Sequence, residues 1–354
     1  MMDSRRAARR VSAALVVLAL AIRLVTAAGL DRRVAAQVGA ALRSPDFAGF
    51  LFYLETGQAL PLPELPAAEE TLQAEAGPAE TPEASTAAPA APLPRQDAAE
   101  PEAERLQFTE ADAEAITVGG ACTYSVDKLA LLQQESVLDF DQEGPTVLIV
   151  HTHTSEAYTQ EAGWEYPENE MARTQDTDFS VVRVGRELAE TLESHGISVL
   201  HDESFNDYPS YSGAYDRTLG KIQQWVEQYP SIQMVIDLHR DAAADTDGTP
   251  VRHAVTLDGE ETAQLMLVVG TDQGGLSHPN WRDNLSWALK LQAVLERMYP
   301  GLCRNLDLRT ERFNQHMTPG SLLVEVGSSG NTLREALAAA RDLGEGLAAL
   351  IAGT

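Results

Sequence analysis

The sequence predicts an α/β domain built on a mainly parallel sheet with helices on both faces, and three observations carry that prediction. Short continuous apolar runs, not alternating ones, recur from residue 145 onward, as strands buried on both faces require. Stretches with helical spacing of apolar residues separate them. Gly and Pro stand at the junctions, where turns and helix ends place them.

Taken in order, Val147-Leu-Ile-Val150 is the first strand, introduced by Gly144-Pro145. Residues 179–195 have helical periodicity, and Gly196 stands where a helix-terminating glycine belongs. Residues 197–200 are a second strand, residues 215–229 a helix closed by Pro230, and residues 234–238 a third strand. Two further strands follow at 253–257 and 265–270. A helix over 281–298 ends at Tyr299-Pro300-Gly301, a last strand covers 322–326, and an amphipathic helix over 331–351 starts from Asn331 or Thr332. The Gly-rich segment Thr271 to Gly275 has no lysine and no strand-to-helix context, so it reads as a turn and not a phosphate loop.

Ahead of this domain the composition changes twice. Arg5, Arg6, Arg9 and Arg10 precede an apolar run over residues 11–30, long enough as a helix to cross a hydrocarbon core of about 30 Å. The arginines predict a cytoplasmic tail at 1–10, an N-terminal transmembrane helix at 11–30 and a body outside the cytoplasm. A cleaved signal peptide is the rival reading, favoured by Ala27 and Ala28 and disfavoured by the length of the run. A short juxtamembrane segment spans 31–54. Residues 55–119 form a Pro/Ala/Glu-rich linker with too little apolar surface to offset the entropy of ordering. The folded domain is expected over 120–354.

The 354-residue chain carries 53 acidic and 26 basic residues, a formal charge of −27. That balance excludes non-specific binding to nucleic acid, whose phosphates attract basic faces. Cys122 and Cys303 are too few for a thiolate zinc site; they read as a disulfide or as two buried thiols. No Gly-x-Ser-x-Gly elbow is present to support a serine hydrolase.

Ligands of open α/β sheets bind beyond the carboxyl ends of the strands, and three predicted strand ends are loaded with chemistry. The first gives His151-Thr-His153-Thr-Ser-Glu156, the third Asp237-Leu-His239-Arg240, and the last Glu325-Val-Gly. Two imidazoles and a carboxylate make the open three-ligand shell of a zinc hydrolase, and a further carboxylate can act as general base and acid. Each residue alone also has an ordinary reading as a capped or hydrogen-bonded structural group. His195 is expected to meet the last carbonyls of its helix. His201 can reach the site or serve structure, His253 is expected to face the sheet, and His278 and His316 sit in loops open to substrate.

Several motifs, read together, carry a resemblance. They are Val147-Leu-Ile-Val-His-Thr-His-Thr-Ser-Glu-Ala-Tyr158, Val181-Val-Arg-Val-Gly185, Ile236-Asp-Leu-His-Arg-Asp-Ala242, His278-Pro-Asn-Trp281, Phe313-Asn-Gln315 and Ser321-Leu-Leu-Val-Glu-Val-Gly327 with Asn331-Thr332. From residue 145 to the end the chain resembles the stage II sporulation protein P family, whose membrane segment and acidic linker it also shares. One departure is Ser180, where the family pattern leads to Asn. The resemblance implies an amidase-like fold and a zinc-dependent N-acetylmuramoyl-L-alanine amidase, with endopeptidase activity on peptide cross-links as a wider option. It further implies peptidoglycan as substrate, a role in septal thinning and engulfment between the two sporulation membranes, and stage II sporulation proteins D and M as partners. Carried onto this sequence, zinc falls to His153 or His151, to Glu156 with Asp178 in reserve, and to His239. Glu325 becomes the catalytic carboxylate. Arg240 meets either a stem-peptide carboxylate or Asp237, and Asn314 and Gln315 are substrate contacts. A zinc peptidase or deacetylase of the wall, and a non-catalytic wall-binding scaffold, are the alternatives.

Overall fold

The computed structural model describes residues 106–167 and 172–353. The expected anchor, juxtamembrane segment and most of the linker lie outside them, and no helix among the described residues is long and apolar enough to cross a membrane.

A seven-stranded sheet in the order β1-β8-β7-β9-β4-β2-β3 organises the domain. Its strands are β1 (Val118–Gly119), β2 (Val147–Val150), β3 (Val199–His201), β4 (Met234–Asp241), β7 (Leu265–Val269), β8 (Leu306–Leu308) and β9 (Leu322–Ser328). All adjacent pairs are parallel except β7 with β9, so the expected α/β class with a mainly parallel sheet is observed. A separate hairpin joins β5 (Ala254–Leu257) to β6 (Glu260–Ala263).

Alternation along the strands sorts the two faces. Val147, Ile149, Ile236, Leu238, Leu322, Val324 and Val326 point into the main core. There they meet helices α3 (Val181–Ser194), α5 (Trp281–Met298) and α6 (Leu333–Ala352). Leu148, Val150 and Val235 point the other way, against Ile222 of helix α4 (Ala214–Gln228). Burying one such side chain stabilises by roughly 1.5–3 kcal/mol, so this two-sided burial supplies the driving force that the continuous apolar runs signalled. Helix α3 is capped by Ser180, whose hydroxyl accepts from Val182 N–H, the position where the family pattern led to Asn. Helix α6 starts at Thr332, which forms a capping box with Glu335.

Two expectations need correction. The domain begins before residue 120: helix α1 (Glu110–Ala115) and β1 pack into the fold, with Ile116 only 1% exposed and Arg297 paired to Asp112 at 2.6 Å. Ala113 and Ile116 join the core with Leu106, Phe108 and Val118 packed against it, and β1 takes its hydrogen bonds from the open edge of β8. A helix α2 (Lys128–Leu132), β6 and β8 were not anticipated, being too short for periodicity to show. Of the two readings open for the cysteines, the thiols are observed: Cys122 and Cys303 are both free and half-buried.

A chain starting at residue 120 is expected to melt well below one starting at residue 106. Ile116→Ala in the full chain is expected to cost about 2–4 kcal/mol in denaturant unfolding, the range for emptying a buried aliphatic site. An unchanged midpoint would return residues 106–119 to the linker.

Candidate functional site

Chain reversal after β2 builds the first side of the site. Residues 151–156 fold inward because their polar side chains find partners in neighbouring loops. Thr154 Oγ1 donates to Ser204 O at 2.9 Å, Ser155 Oγ donates to Asp207 at 2.6 Å, and Glu156 N–H returns to His153 O at 3.0 Å. Asp237 of β4 ties this loop to the sheet, accepting from Thr152 N–H at 2.8 Å and from Thr152 Oγ1 at 2.6 Å.

β4 and β9 supply the second side. Their register sets His239 opposite Glu325 on one face. A register shift between His239 and Asp241 interrupts the ladder, as bulges beside active sites do. The Arg240 N–H in that interval donates to Glu156 Oε2 at 3.2 Å. Glu156 Oε2 also lies 3.4 Å from His239 Nδ1, while His239 Nε2 lies 3.0 Å from Asp237 Oδ1 without hydrogen-bond alignment. His153 stands beside His239, ring centroids 5.2 Å apart. Its Nε2 is 3.0 Å from the Tyr211 hydroxyl, and its Nδ1 is buried with no partner. Glu325 is partly exposed, yet its Oε2 is sealed from solvent and unpartnered.

The electrostatics follow from this crowding. Burial pushes His153 down to about 4, leaving a neutral imidazole at neutral pH. Burial opposes charge on His239 too, but Asp237 and Glu156 outweigh it and raise its pKa well above the usual range. Glu156 is held low: burial works against it, while the hydrogen bond from His239 and the charge of Arg240 prevail. Glu325 goes up, chiefly because it is buried and because Glu156 and Asp241 repel its charge.

Of the residues singled out in the sequence, the fold therefore brings His153, Glu156, His239 and Glu325 together. Others sit elsewhere. His151 is fully buried and points to the α3 side, with Nδ1 2.9 Å from Leu238 O and Nε2 2.7 Å from His201 Nε2. Alternation after Ile149 carries His151 to the α3 side, and the turn over residues 152–155 sends His153 to the other. Asp178 is exposed and paired with Arg186 at 2.6 Å. Arg240 is buried against Glu156 and the carbonyls of Ala157 and Ala172, not against Asp237. Gln315 spans Gly270 N–H and Val268 O, and Asn314 donates to Tyr215 O. Their amides serve the backbone, so substrate contact by either is not what their geometry favours. His278 is 1% exposed instead of open to substrate, whereas His195 caps its helix as expected, its N–H donating to Leu192 O at 3.0 Å while its ring pairs with Glu345 at 2.9 Å.

Sequence reading missed Arg173, Asp207, Tyr211 and Tyr215. Arg173 reaches Asp207 at 2.7 Å and Glu156 at 3.4 Å, and it lies over the Tyr211 ring at 4.9 Å. Tyr211 stacks on His153 at 4.5 Å, and Tyr215 sits 5.6 Å from His153. Arg173, Asp207 and Tyr211 come from loops whose sequence has no periodic signal, Tyr215 stands in the first turn of α4, and only the packing of these segments over the sheet brings them in.

The stage II sporulation protein P family model matches residues 61–348. This chain belongs to that family. Stage II sporulation protein P of Bacillus subtilis (strain 168) is 29% identical over 204 residues, covering 53% of this chain and 47% of that protein. The chain thus spans about half the length of the curated relative it matches. Among solved structures, the N-acetylmuramoyl-L-alanine amidase AmiC2 of Nostoc punctiforme aligns at 12% identity over 59% of this chain and 97% of its own, with a TM-score of 0.33. The CwlD amidase from Clostridioides difficile, solved with the GerS lipoprotein, aligns at 15% over 58% and 95%, with a TM-score of 0.35. Scores of that size do not by themselves define a common fold or chemistry.

The buried His151–His201 contact makes stability pH-dependent. Burial depresses both imidazoles, to about 3 and about 4, below the unfolded value near 6.5. The unfolded chain therefore takes up protons first as pH falls. Stability is intact above about pH 6.5 and declines towards pH 4, by up to about 1.4 kcal/mol per pH unit for each imidazole. Urea unfolding across pH 7 to 4 checks this, and His201→Gln should flatten the decline.

Proposed function

We propose that this chain is a zinc-dependent peptidoglycan hydrolase that cleaves the amide joining N-acetylmuramic acid to the L-alanine of the stem peptide. It would act outside the cytoplasm, tethered to the cell membrane by residues 11–30, during septal thinning and engulfment. Stage II sporulation proteins D and M are its proposed partners. Family membership supports the sporulation setting. The chemistry is supported chiefly by one observation: two imidazoles and a carboxylate meet beside an unpartnered carboxyl group on the adjacent strand.

As they stand, no three His, Cys, Asp or Glu side chains among the described residues form a closed metal cage. The donors nevertheless fit zinc. His239 Nδ1 and Glu156 Oε2 are 3.4 Å apart, near the roughly 3.3 Å between two ligands of a tetrahedral ion with bonds of about 2.0–2.1 Å. His153 keeps Nδ1 unpartnered and engages Nε2 with the Tyr211 hydroxyl, an outer partner of the kind that orients a ligand imidazole. Asp237 and Glu156 also set negative charge around His239, a field suited to a cation.

Zinc bound by His153, Glu156 and His239 would supply a Lewis acid for the amide carbonyl and a water of lowered pKa. The remaining work falls to the protein. Tyr211 at Nε2 orients the His153 imidazole, and the charge of Asp237 lies beside His239 Nε2. Arg240 and Arg173 keep Glu156 ionised and aimed. Glu325, unpartnered opposite His239, can when ionised accept the proton of the attacking water and deliver it to the departing alanine nitrogen.

Mass spectrometry of purified peptidoglycan incubated with the zinc-loaded full chain is expected to show free stem peptides and unsubstituted glycan. Glu325→Gln should lower their release by at least about 100-fold, and chelation should abolish it. Cleavage confined to cross-links would make it a peptidase, and release of acetate a deacetylase. A folded, zinc-loaded protein that releases nothing would be a scaffold.

A further inference from the structure

Tyr215 occupies a position that the residues named so far do not account for. It is the second residue of α4, one turn after Tyr211, and is half-buried. Its ring lies 5.6 Å from that of His153, 6.5 Å from that of His239 and 5.8 Å from that of Phe313. The backbone at this point is clamped, because Asn314 Nδ2 donates to Tyr215 O at 2.9 Å. Phe313, which walls the ring on the far side, adopts a left-handed φ of +50°. A non-glycine residue holds that conformation only where its surroundings enforce it, at a cost of about 1–3 kcal/mol.

The hydroxyl is what distinguishes Tyr215 from its neighbours. Tyr158 donates to Val326 O, Tyr166 donates to Tyr158 O, and Tyr211 meets His153. The Tyr215 hydroxyl makes no hydrogen bond to the described residues and is not sealed from solvent. It also lies within electrostatic reach of Asp237, Glu325 and Glu156, all of which face the site. A phenol is protonated at neutral pH in any case, and burial with three carboxylates nearby keeps it so.

With the Tyr211 hydroxyl committed to His153, Tyr215 supplies the site with a neutral O–H donor that no described residue engages. Glu156, Asp237 and Glu325 are acceptors when ionised. The nearby cations are engaged, Arg173 by Asp207 and Glu156, and Arg240 by Glu156 and two carbonyls. Amide hydrolysis places negative charge on the carbonyl oxygen as water adds, and a fixed donor aimed at that oxygen is worth about 100- to 1,000-fold in rate.

We propose that Tyr215 is a catalytic residue: its phenolic O–H donates a hydrogen bond to the scissile carbonyl oxygen as that oxygen takes up charge. The proton stays on the phenol throughout. The C–O bond to water forms, the C–N bond breaks, and proton transfer remains with Glu325. This inference rests on the amidase reading above.

Tyr215→Phe tests it, because the ring contacts survive and only the oxygen is lost. In the zinc-loaded full chain, kcat for stem-peptide release should fall about 100-fold or more, with KM within threefold and with zinc content and melting temperature unchanged. The variant should also bind a phosphinate mimic of the tetrahedral centre more weakly by a similar factor, while its affinity for the released stem peptide holds. A variant with kcat and phosphinate affinity within twofold of the parent overturns the role of Tyr215 and leaves the amidase reading standing. A loss of activity that follows a loss of zinc also overturns it, since Tyr215 would then be positioning His153. A parent chain that is zinc-loaded yet releases no stem peptide overturns both.

Discussion

The pairing of β4 with β9 is the constraint on which the site depends. Because side chains alternate across a strand, a register slip of one residue would send His239 and Glu325 to opposite faces. The observed register holds them opposite each other, and the same alternation commits Leu238 and Val324 to the core behind them. Apolar burial on one face thus dictates the chemistry available on the other. The driving force is non-directional, but its consequence for two polar side chains is a fixed position.

Loop 151–156 converts that rigid floor into a cleft. It does so through polar contacts: Thr152 to Asp237, Ser155 to Asp207, and Glu156 to the Arg240 N–H beside the bulge. Buried carboxylates are costly unless paired and hydrogen-bonded, and Asp237, Asp207 and Glu156 are each held by more than one donor. Arg173 extends the network to Tyr211, so one guanidinium links the buried Glu156 to the aromatic cover of His153. The parts of the site are therefore coupled: the side chains that orient the imidazoles also set the ionisation of the carboxylates.

Legibility in the sequence tracked the strength of the local physics. Helices α3, α4, α5 and α6 were expected within two residues of where they lie, because their apolar spacing and their caps at Ser180 and Thr332 are local features. Helix α1 and strands β1, β6 and β8 escaped notice because two to six residues cannot display a period. Their existence depends on partners elsewhere in the chain: the edge of β8 for β1, and the ends of α5 and α6 for residues 106–116.

The sequence by itself determined the α/β class, the order of the main elements and the loaded strand ends that supply His153, Glu156, His239 and Glu325. Each of these follows from short-range pattern: apolar runs, helical spacing, and polar residues where an apolar run stops. Only the tertiary structure decided that His151 turns to His201 on the far side, that Arg240 supports Glu156, and that Asn314 and Gln315 hold backbone. The same holds for Tyr211 and Tyr215, which reach His153 from the loop before α4 and from its first turn, more than fifty residues away in the chain. The physical reason is that a side chain's direction depends on strand alternation and loop closure, and closure is settled by contacts between segments that carry no mark of one another in sequence.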